Sequence, residues 1–169
     1  MIKRLAFIVS AAVLAAMFIR TFVIETVYVA SASMEPTLKV GELMLEEKIS
    51  RWLVKPKRGE IIVFKSPVDE KELIKRVIAV AGDTVEIKEK EVFINGAPAK
   101  EDYVKHTRAS ELLSGDNINR LTVPASTVFV MGDNRDESND SRDWINSATG
   151  EHIYFLPLSN IKGRVIRIN

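Results

Sequence analysis

The chain has 169 residues, a formal net charge of +1 and no cysteine. That is room for one domain plus an anchor, and it excludes disulfides, a thiol nucleophile and a cysteine-based zinc site. Lys3, Arg4, Arg20 and Glu25 give residues 1–30 a net +2 and leave −1 on the rest; no basic stripe appears, which argues against nucleic acid as a partner.

The first element is apolar. Residues 5–19 are small or apolar, with Ser10 the only mildly polar side chain; Arg20 and Thr21 interrupt the run and Phe22, Val23 and Ile24 resume it. A membrane-spanning helix needs about 20 residues. Residues 5–24 supply them if Arg20 snorkels at the far interface. Lys3 and Arg4 favour an N-terminus inside and everything after residue 25 outside. A cleaved secretory signal peptide is the competing reading, with a basic start, an apolar core and Ala30-Ser31-Ala32 as an A-x-A cleavage site. Spacing argues against it, because Arg20, Glu25 and their neighbours separate the core from that site. The expected organisation is a membrane anchor over residues 1–28 and an all-β domain of mostly antiparallel strands over residues 29–169.

Strand signals dominate the second part: short runs of Val, Ile and Phe punctuated by Gly, Pro, Asn and Asp. Strands are expected at residues 60–64, 73–80, 84–88, 91–94, 126–131 and 164–168. Asn95-Gly96 predicts a type I′ turn, because both residues tolerate positive φ. Residues 103–120 read as a loop or as a short helix around residues 109–113.

Three stretches carry chemistry. Ser31-Ala32-Ser33-Met34-Glu35-Pro36-Thr37 holds two hydroxyls on a constrained, turn-rich backbone. A serine nucleophile needs a base within reach and backbone donors for the oxyanion; an ordinary capping turn is the bland alternative. In Leu73-Ile74-Lys75-Arg76-Val77-Ile78-Ala79-Val80, alternation puts Lys75 on one face with Leu73, Val77 and Ala79, and Arg76 on the other with Ile74, Ile78 and Val80. An apolar face depresses a lysine pKa and makes a general base of it; a solvated strand with Arg76 at its edge reads equally well. Residues 132–144 are densely polar and end at Trp144. A calcium loop fits poorly, since Arg135 and Ser138 stand third and sixth from Asp133. A rigid loop with an Asp140–Arg142 ion pair and with Ser138 orienting a base is the other reading. His106 and His152 sit in no motif that positions an imidazole for a Ser-His-Asp triad.

Taken in order, Ser-x-Ser-Met-x-Pro-Thr after an apolar segment, Lys-Arg-Val-Ile-x-x-x-Gly-Asp, and Gly-Asp-Asn-Arg-Asp-x-Ser-x-Asp-Ser-Arg-x-Trp resemble bacterial type I signal peptidase. Arg58-Gly59-Glu60-Ile61-Ile62-Val63-Phe64 matches the strand that the family places between the first two. The resemblance implies a membrane-bound serine–lysine endopeptidase of the bacterial cytoplasmic membrane. It would be single-pass, with its catalytic domain on the outer face, and would remove signal peptides from exported precursor proteins by cutting after small residues. Ser33 would be the nucleophile and Lys75 its general base. Ser31 and the Ser33 N–H would serve the oxyanion, and Ser138 would hold the Lys75 amine. Asp140 and Arg142 would brace the wall as an ion pair, and Asp133 would pair with Arg76 behind the lysine strand. Met34 would touch substrate. The partners implied are signal peptides and the lipid bilayer; no metal or cofactor is implied. The same preference for small residues makes Ala30-Ser31-Ala32 a self-cleavage motif.

The chain departs from the family pattern at Gly41-Glu42, where Gly-Asp is usual, and at Ile145, where Gly usually follows the loop's Trp. Ala79-Val80-Ala81 stands where Gly-Leu-Pro is frequent. These changes spare Ser33 and Lys75 and bear on loop exit and pocket shape. The rivals are a serine–lysine peptidase with a specialised substrate, a self-cleaving repressor-type peptidase, and a secreted or tethered β-domain that only binds a ligand.

Overall fold

A computed structural model describes residues 1–166. The first helix, α1 (Ile2–Phe22), has no buried residue. At 1.5 Å per residue it is about 31 Å long, close to the thickness of a bilayer's hydrocarbon core, and it is long and apolar enough to cross one. It ends earlier than the sequence suggests. Ile24–Tyr28 form strand β1, which pairs antiparallel with β2 (Leu43–Glu47) from Ile24–Glu47 to Tyr28–Leu43. Residues 24–28, grouped above with the anchor, are therefore part of the sheet. Their apolar character continues that of the helix, which hides the break.

A short helix α2 (Ser50–Leu53) leads to β3 (Ile61–Lys65), β4 (Glu72–Val80), β5 (Thr84–Lys88), β6 (Glu91–Ile94) and β7 (Ala97–Pro98). Then come β8 (Ile118–Thr122), β9 (Thr127–Met131), β10 (Leu156–Pro157) and β11 (Ile161–Ile166). Two antiparallel sheets result, ordered β1-β2-β11-β3-β4-β9-β10 and β7-β6-β5-β8. The expected strands lie where the sequence places them, and β1, β2, β7, β8 and β10 are additional. Of the last expected strand, residues 167 and 168 lie outside the described residues. Of the two readings of residues 103–120, the loop holds over residues 109–113, and a 3₁₀ turn at Ser114–Asp116 leads into β8.

Asn95 (φ 54°) and Gly96 (φ 82°) make the expected left-handed two-residue turn, joining β6 to β7. Glu89 (φ 46°) and Lys90 (φ 74°) make another between β5 and β6, with no glycine or asparagine. Side-chain bonds hold that turn. The Lys90 Nζ lies 2.8 Å from Asp136 and 3.4 Å from Asp116, which ties the second sheet to the acidic loop after β9.

The core has three parts. Ile62, Phe64, Val77, Val128, Val130, Trp144, Leu156 and Ile161 fill one side of the large sheet. Ile78, Ala79, Phe129 and Met131 meet β5, β6 and β8 in the second. Val29, Met34, Leu38 and Met44 form the third, under the loop after β1. The strict alternation expected along β4 fails at a bulge between Val77 and Ala79. Beyond it Val80, not Ala79, joins Leu73 and Val77 in the first cluster. The bulge adds one residue opposite β9 and so exchanges the faces. Lys75 precedes it and keeps its expected side.

Candidate active site

The loop after β1 closes into a single 3₁₀ turn, Ala32–Met34, with Ser33 6% exposed. Met34 anchors that turn. It is 1% exposed, packs against Val29, Leu38 and Met44, and also lines the groove beside Ser33. One residue of the acidic loop, Asn134, clamps the turn from the other side with two hydrogen bonds. The Asn134 N–H donates to the Ser33 carbonyl (3.1 Å), and the Asn134 side-chain amide donates to the Ala32 carbonyl (3.2 Å). A Cβ on Gly132 would collide with the Ser33 carbonyl and with Ser138. The sequence assigns Gly132 and Asn134 no role of their own within the polar string, because that role depends on a contact about 100 positions away.

Lys75 sits in β4 opposite Ile62 of β3 and is 3% exposed. Its Nζ lies 2.8 Å from Ser33 Oγ, and Ser31 Oγ donates to the same oxygen at 3.2 Å. Burial pushes the Lys75 pKa down to about 8; Asp140 opposes the shift, Arg142 adds to it and Asp133 opposes it. Near neutral pH a fraction of the amine is thus uncharged, with a lone pair that can accept the Ser33 proton. The Ser33 N–H, at the start of a three-residue turn, has no acceptor within that turn.

The wall behind Lys75 is an ionic network. Arg142 donates to Asp140 from Nε (2.9 Å) and Nη2 (3.0 Å), and Asp140 also accepts from the Gly132 N–H (2.9 Å). Burial opposes ionisation of Asp140, but the Arg142 guanidinium holds its carboxyl below the usual carboxylate range. Ser138 donates to Asp140 Oδ2 at 2.7 Å. The expected hydrogen bond from Lys75 to Ser138 is not formed among the described residues; the carboxylate beside Ser138 takes its proton, and Ser138 acts on that wall through Asp140. Arg76 points the other way, bidentate to Asp133 at 2.8 and 2.6 Å, with its guanidinium 3.9 Å above the Tyr103 ring. The segment read as a loop or short helix runs alongside this loop: Lys105 exchanges backbone hydrogen bonds of 2.9 Å with Asp133 and Arg135, and the Arg108 N–H donates to Asp136 at 2.6 Å.

Neither imidazole bonds to Ser33. His106 lies 3.4 Å from Asp136, and His152 Nε2 lies 2.7 Å from the Arg142 carbonyl, with its ring stacked on Tyr154. Trp144 is buried edge-on against Phe64, and the unusual segment after it folds back through an Ile145–His152 bridge.

Beside Ser33 opens a groove of about 290 Å³, lined by residues 25–31, Met34, Val63 and residues 72–75. β4 is paired with β3 along residues 72–76 but with β9 only from Arg76 onward. Its first residues and the outer edge of β1 therefore offer unpaired backbone groups to an extended chain.

The family model described as signal peptidase, peptidase S26, matches residues 1–168. The chain belongs to that family, a family of serine peptidases. Signal peptidase I P of Bacillus subtilis subsp. natto is 36% identical over 89% of this chain and 87% of its own length. Probable signal peptidase I-2 of Synechocystis is 40% identical over 90% of this chain and 66% of its own. Thylakoidal processing peptidase 1 of Arabidopsis thaliana is 33% identical over 92% of this chain and 44% of its own. A crystal structure of a signal peptidase I from Enterococcus faecalis V583 superposes with a TM-score of 0.51 at 30% identity, covering 66% of this chain and 97% of that one. The mostly antiparallel β architecture is thus shared.

Proposed function

We propose that this chain is a membrane-anchored endopeptidase that removes signal peptides from exported precursor proteins, cutting after small residues. Ser33 attacks the scissile carbonyl and Lys75 takes its proton. The oxyanion receives hydrogen bonds from the Ser33 N–H and the Ser31 hydroxyl. Lys75 returns the proton to the leaving amine as the C–N bond breaks, leaving an ester on Ser33 Oγ. Water, deprotonated by Lys75, then hydrolyses that ester and restores both groups. Asp140, Arg142 and Ser138 fix the wall, and the Asp133–Arg76 pair neutralises the arginine behind the strand, the Asp133 carboxylate offsetting only part of the lowering that burial imposes on Lys75. α1 crosses the membrane with its N-terminus inside, and the β-rich domain follows from residue 24 on the outer side.

The observation that carries this reading is the 2.8 Å contact between a serine oxygen and a buried lysine whose pKa is lowered to about 8. Cleavage of a detergent-solubilised precursor with Ala at both recognition positions, by the wild type and by Ser33→Ala, tests it. A loss of at least ~10³-fold in the variant is expected for removal of a nucleophile. Equal cleavage by the two proteins would refute the assignment of Ser33.

A further inference from the structure

One turn of the second sheet is built against its sequence. Glu89 and Lys90 join β5 to β6 with φ of 46° and 74°, a backbone that glycine and asparagine adopt more readily. Such an outlier persists where its surroundings hold it. Here the Lys90 N–H donates to the Asp116 carbonyl (3.1 Å), and the Lys90 side chain is only 10% exposed. Its ammonium meets three acceptors: Asp136 at 2.8 Å, the Arg108 carbonyl at 2.9 Å and Asp116 at 3.4 Å. A lysine on a surface turn ordinarily keeps its head in water. This one is engaged by two buried acids.

One of these acids leads to the catalytic wall. Asp116 is 1% exposed, and its Oδ1 lies 3.7 Å from Arg142 Nη1. The stem of that arginine rests on the preceding residue, where a Cβ on Gly115 would stand 2.6 Å from the Arg142 Cβ. Among the described residues Asp116 forms ion pairs with Lys90 and Arg142 only, and Asp140 with Arg142 only. Two buried acids thus border one guanidinium, which also faces Asp143 and meets His152 at its own backbone carbonyl. With Lys90 on Asp116, Arg142 is left to Asp140. Without Lys90, the buried Asp116 carboxylate has Arg142 as its one neutralising cation. The charged groups that face Lys75 are Asp140, Arg142 and Asp133, and Asp133 is held separately by Arg76. A guanidinium drawn toward Asp116 leaves more of the Asp140 charge facing Lys75 and itself stands farther from the amine. Both changes favour the ammonium.

We propose that Lys90 is a positioning residue for the catalytic wall: through Asp116 it holds the Arg142 guanidinium on Asp140, and so keeps the Lys75 amine free of a counter-ion. The inference rests on the reading of Lys75 as the general base. It gives the second sheet, which contributes no side chain to the Ser33–Lys75 pair, a part in setting the pH at which that pair works.

The test is the pH profile of kcat/KM for the full chain in detergent, on a soluble peptide with Ala at both recognition positions. In Lys90→Met the rise is expected at higher pH than in the wild type, with activity lost near neutrality and regained on the alkaline plateau. Lys90→Arg keeps the cation and the wild-type profile. Asp116→Asn, added to Lys90→Met, removes the competing acid and brings the rise back. Asp116→Asn alone releases Arg142 wholly to Asp140 and moves the rise to lower pH, which tests the proposal even where Lys90→Met does not fold. A rise at one and the same pH in the wild type, Lys90→Met and Asp116→Asn overturns the proposal. A loss in Lys90→Met that is equal at every pH overturns it too, as the mark of a merely structural role. Ser33→Ala is measured alongside: cleavage equal to that of the wild type refutes the reading of Lys75, and the proposal with it.

Discussion

Arg142 occupies Asp140, and this leaves Lys75 without a counter-ion of its own. The guanidinium makes two hydrogen bonds to the carboxylate, of 2.9 and 3.0 Å, and Lys75 forms no ion pair among the described residues. An aspartate near a buried lysine ordinarily restores its charge. Here the nearest acid is already committed to an arginine, so burial prevails and the amine titrates at about 8.

The pH profile follows from this. A base must be unprotonated to act, so kcat/KM is expected to rise through an apparent pKa of about 8. Asp140→Asn removes a charge that raises the Lys75 pKa and leaves Arg142, which lowers it, so in any active Asp140→Asn protein the rise moves to lower pH. A profile measured on a soluble peptide checks both. A rise that moves upward in the variant would contradict the electrostatic account. Among the described residues, the same substitution leaves the buried guanidinium with only its 3.7 Å ion pair to Asp116 and its bond to the Arg135 carbonyl, so a loss of stability below the about 3–5 kcal/mol of a fully unpaired buried charge is expected, which a denaturant titration reads.

Lys75 is also a burden on the fold. Its pKa is lower in the folded protein than in the unfolded chain, so between about 8 and 10.5 the unfolded state holds more protons and stability rises with pH. Below 8 the full penalty applies, about 3 kcal/mol. Lys75→Met is therefore expected to be inactive yet more stable at pH 7, with the advantage shrinking as pH passes 8 and gone above 10.5. Equal unfolding midpoints for the two proteins at pH 7 would refute the buried, strained amine.

The catalytic pair is legible in the sequence through the order of the three motifs and their resemblance to a known family; taken alone, the turn at residues 31–37 reads as well as a cap, and Lys75 as well as a residue of a solvated strand. The distant contacts are not legible. Nothing within the string after β9 says that Asn134 clamps the backbone of residues 32 and 33, or that residues 105–108 brace the loop. The Ser138 proton goes to Asp140 because the loop folds back on itself, a geometry that spacing alone does not give. β1 is concealed by the helix before it, and β2 by Glu46, an acid on its inward face.

Gly132 tests the clamp. A methyl group there meets the Ser33 carbonyl and Ser138 together. Neither neighbour is free to move, since Ser33 is held by Asn134 and Ser138 by Asp140. Gly132→Ala is expected to displace the nucleophile, with a loss of about 10²-fold in kcat, as for a misplacement of about 1 Å. The binding groove is left intact, so KM should change little. Steady-state kinetics on a peptide substrate separate the two constants, and an unchanged kcat would show that the turn tolerates the shift.

Glu46 offers a test away from the catalytic pair. It is fully buried on the inward face of β2 over Gly163, and neither carboxylate oxygen has a hydrogen-bond partner among the described residues. Burial pushes its pKa up; Lys162 and Lys48 oppose this but are engaged by Glu72 and Glu25, each at 2.5 Å. The folded state therefore keeps a proton that the unfolded chain releases, and stability falls as pH rises from about 4.5 through the raised value. Glu46→Gln copies the neutral acid and removes that dependence. It is expected to raise the melting temperature at pH 7–8 by a few degrees, for a change of about 1 kcal/mol, and to leave it little changed near pH 4. A variant that melts lower at pH 8 than the wild type would mean that Glu46 is ionised in the fold and that a cation or solvent reaches it.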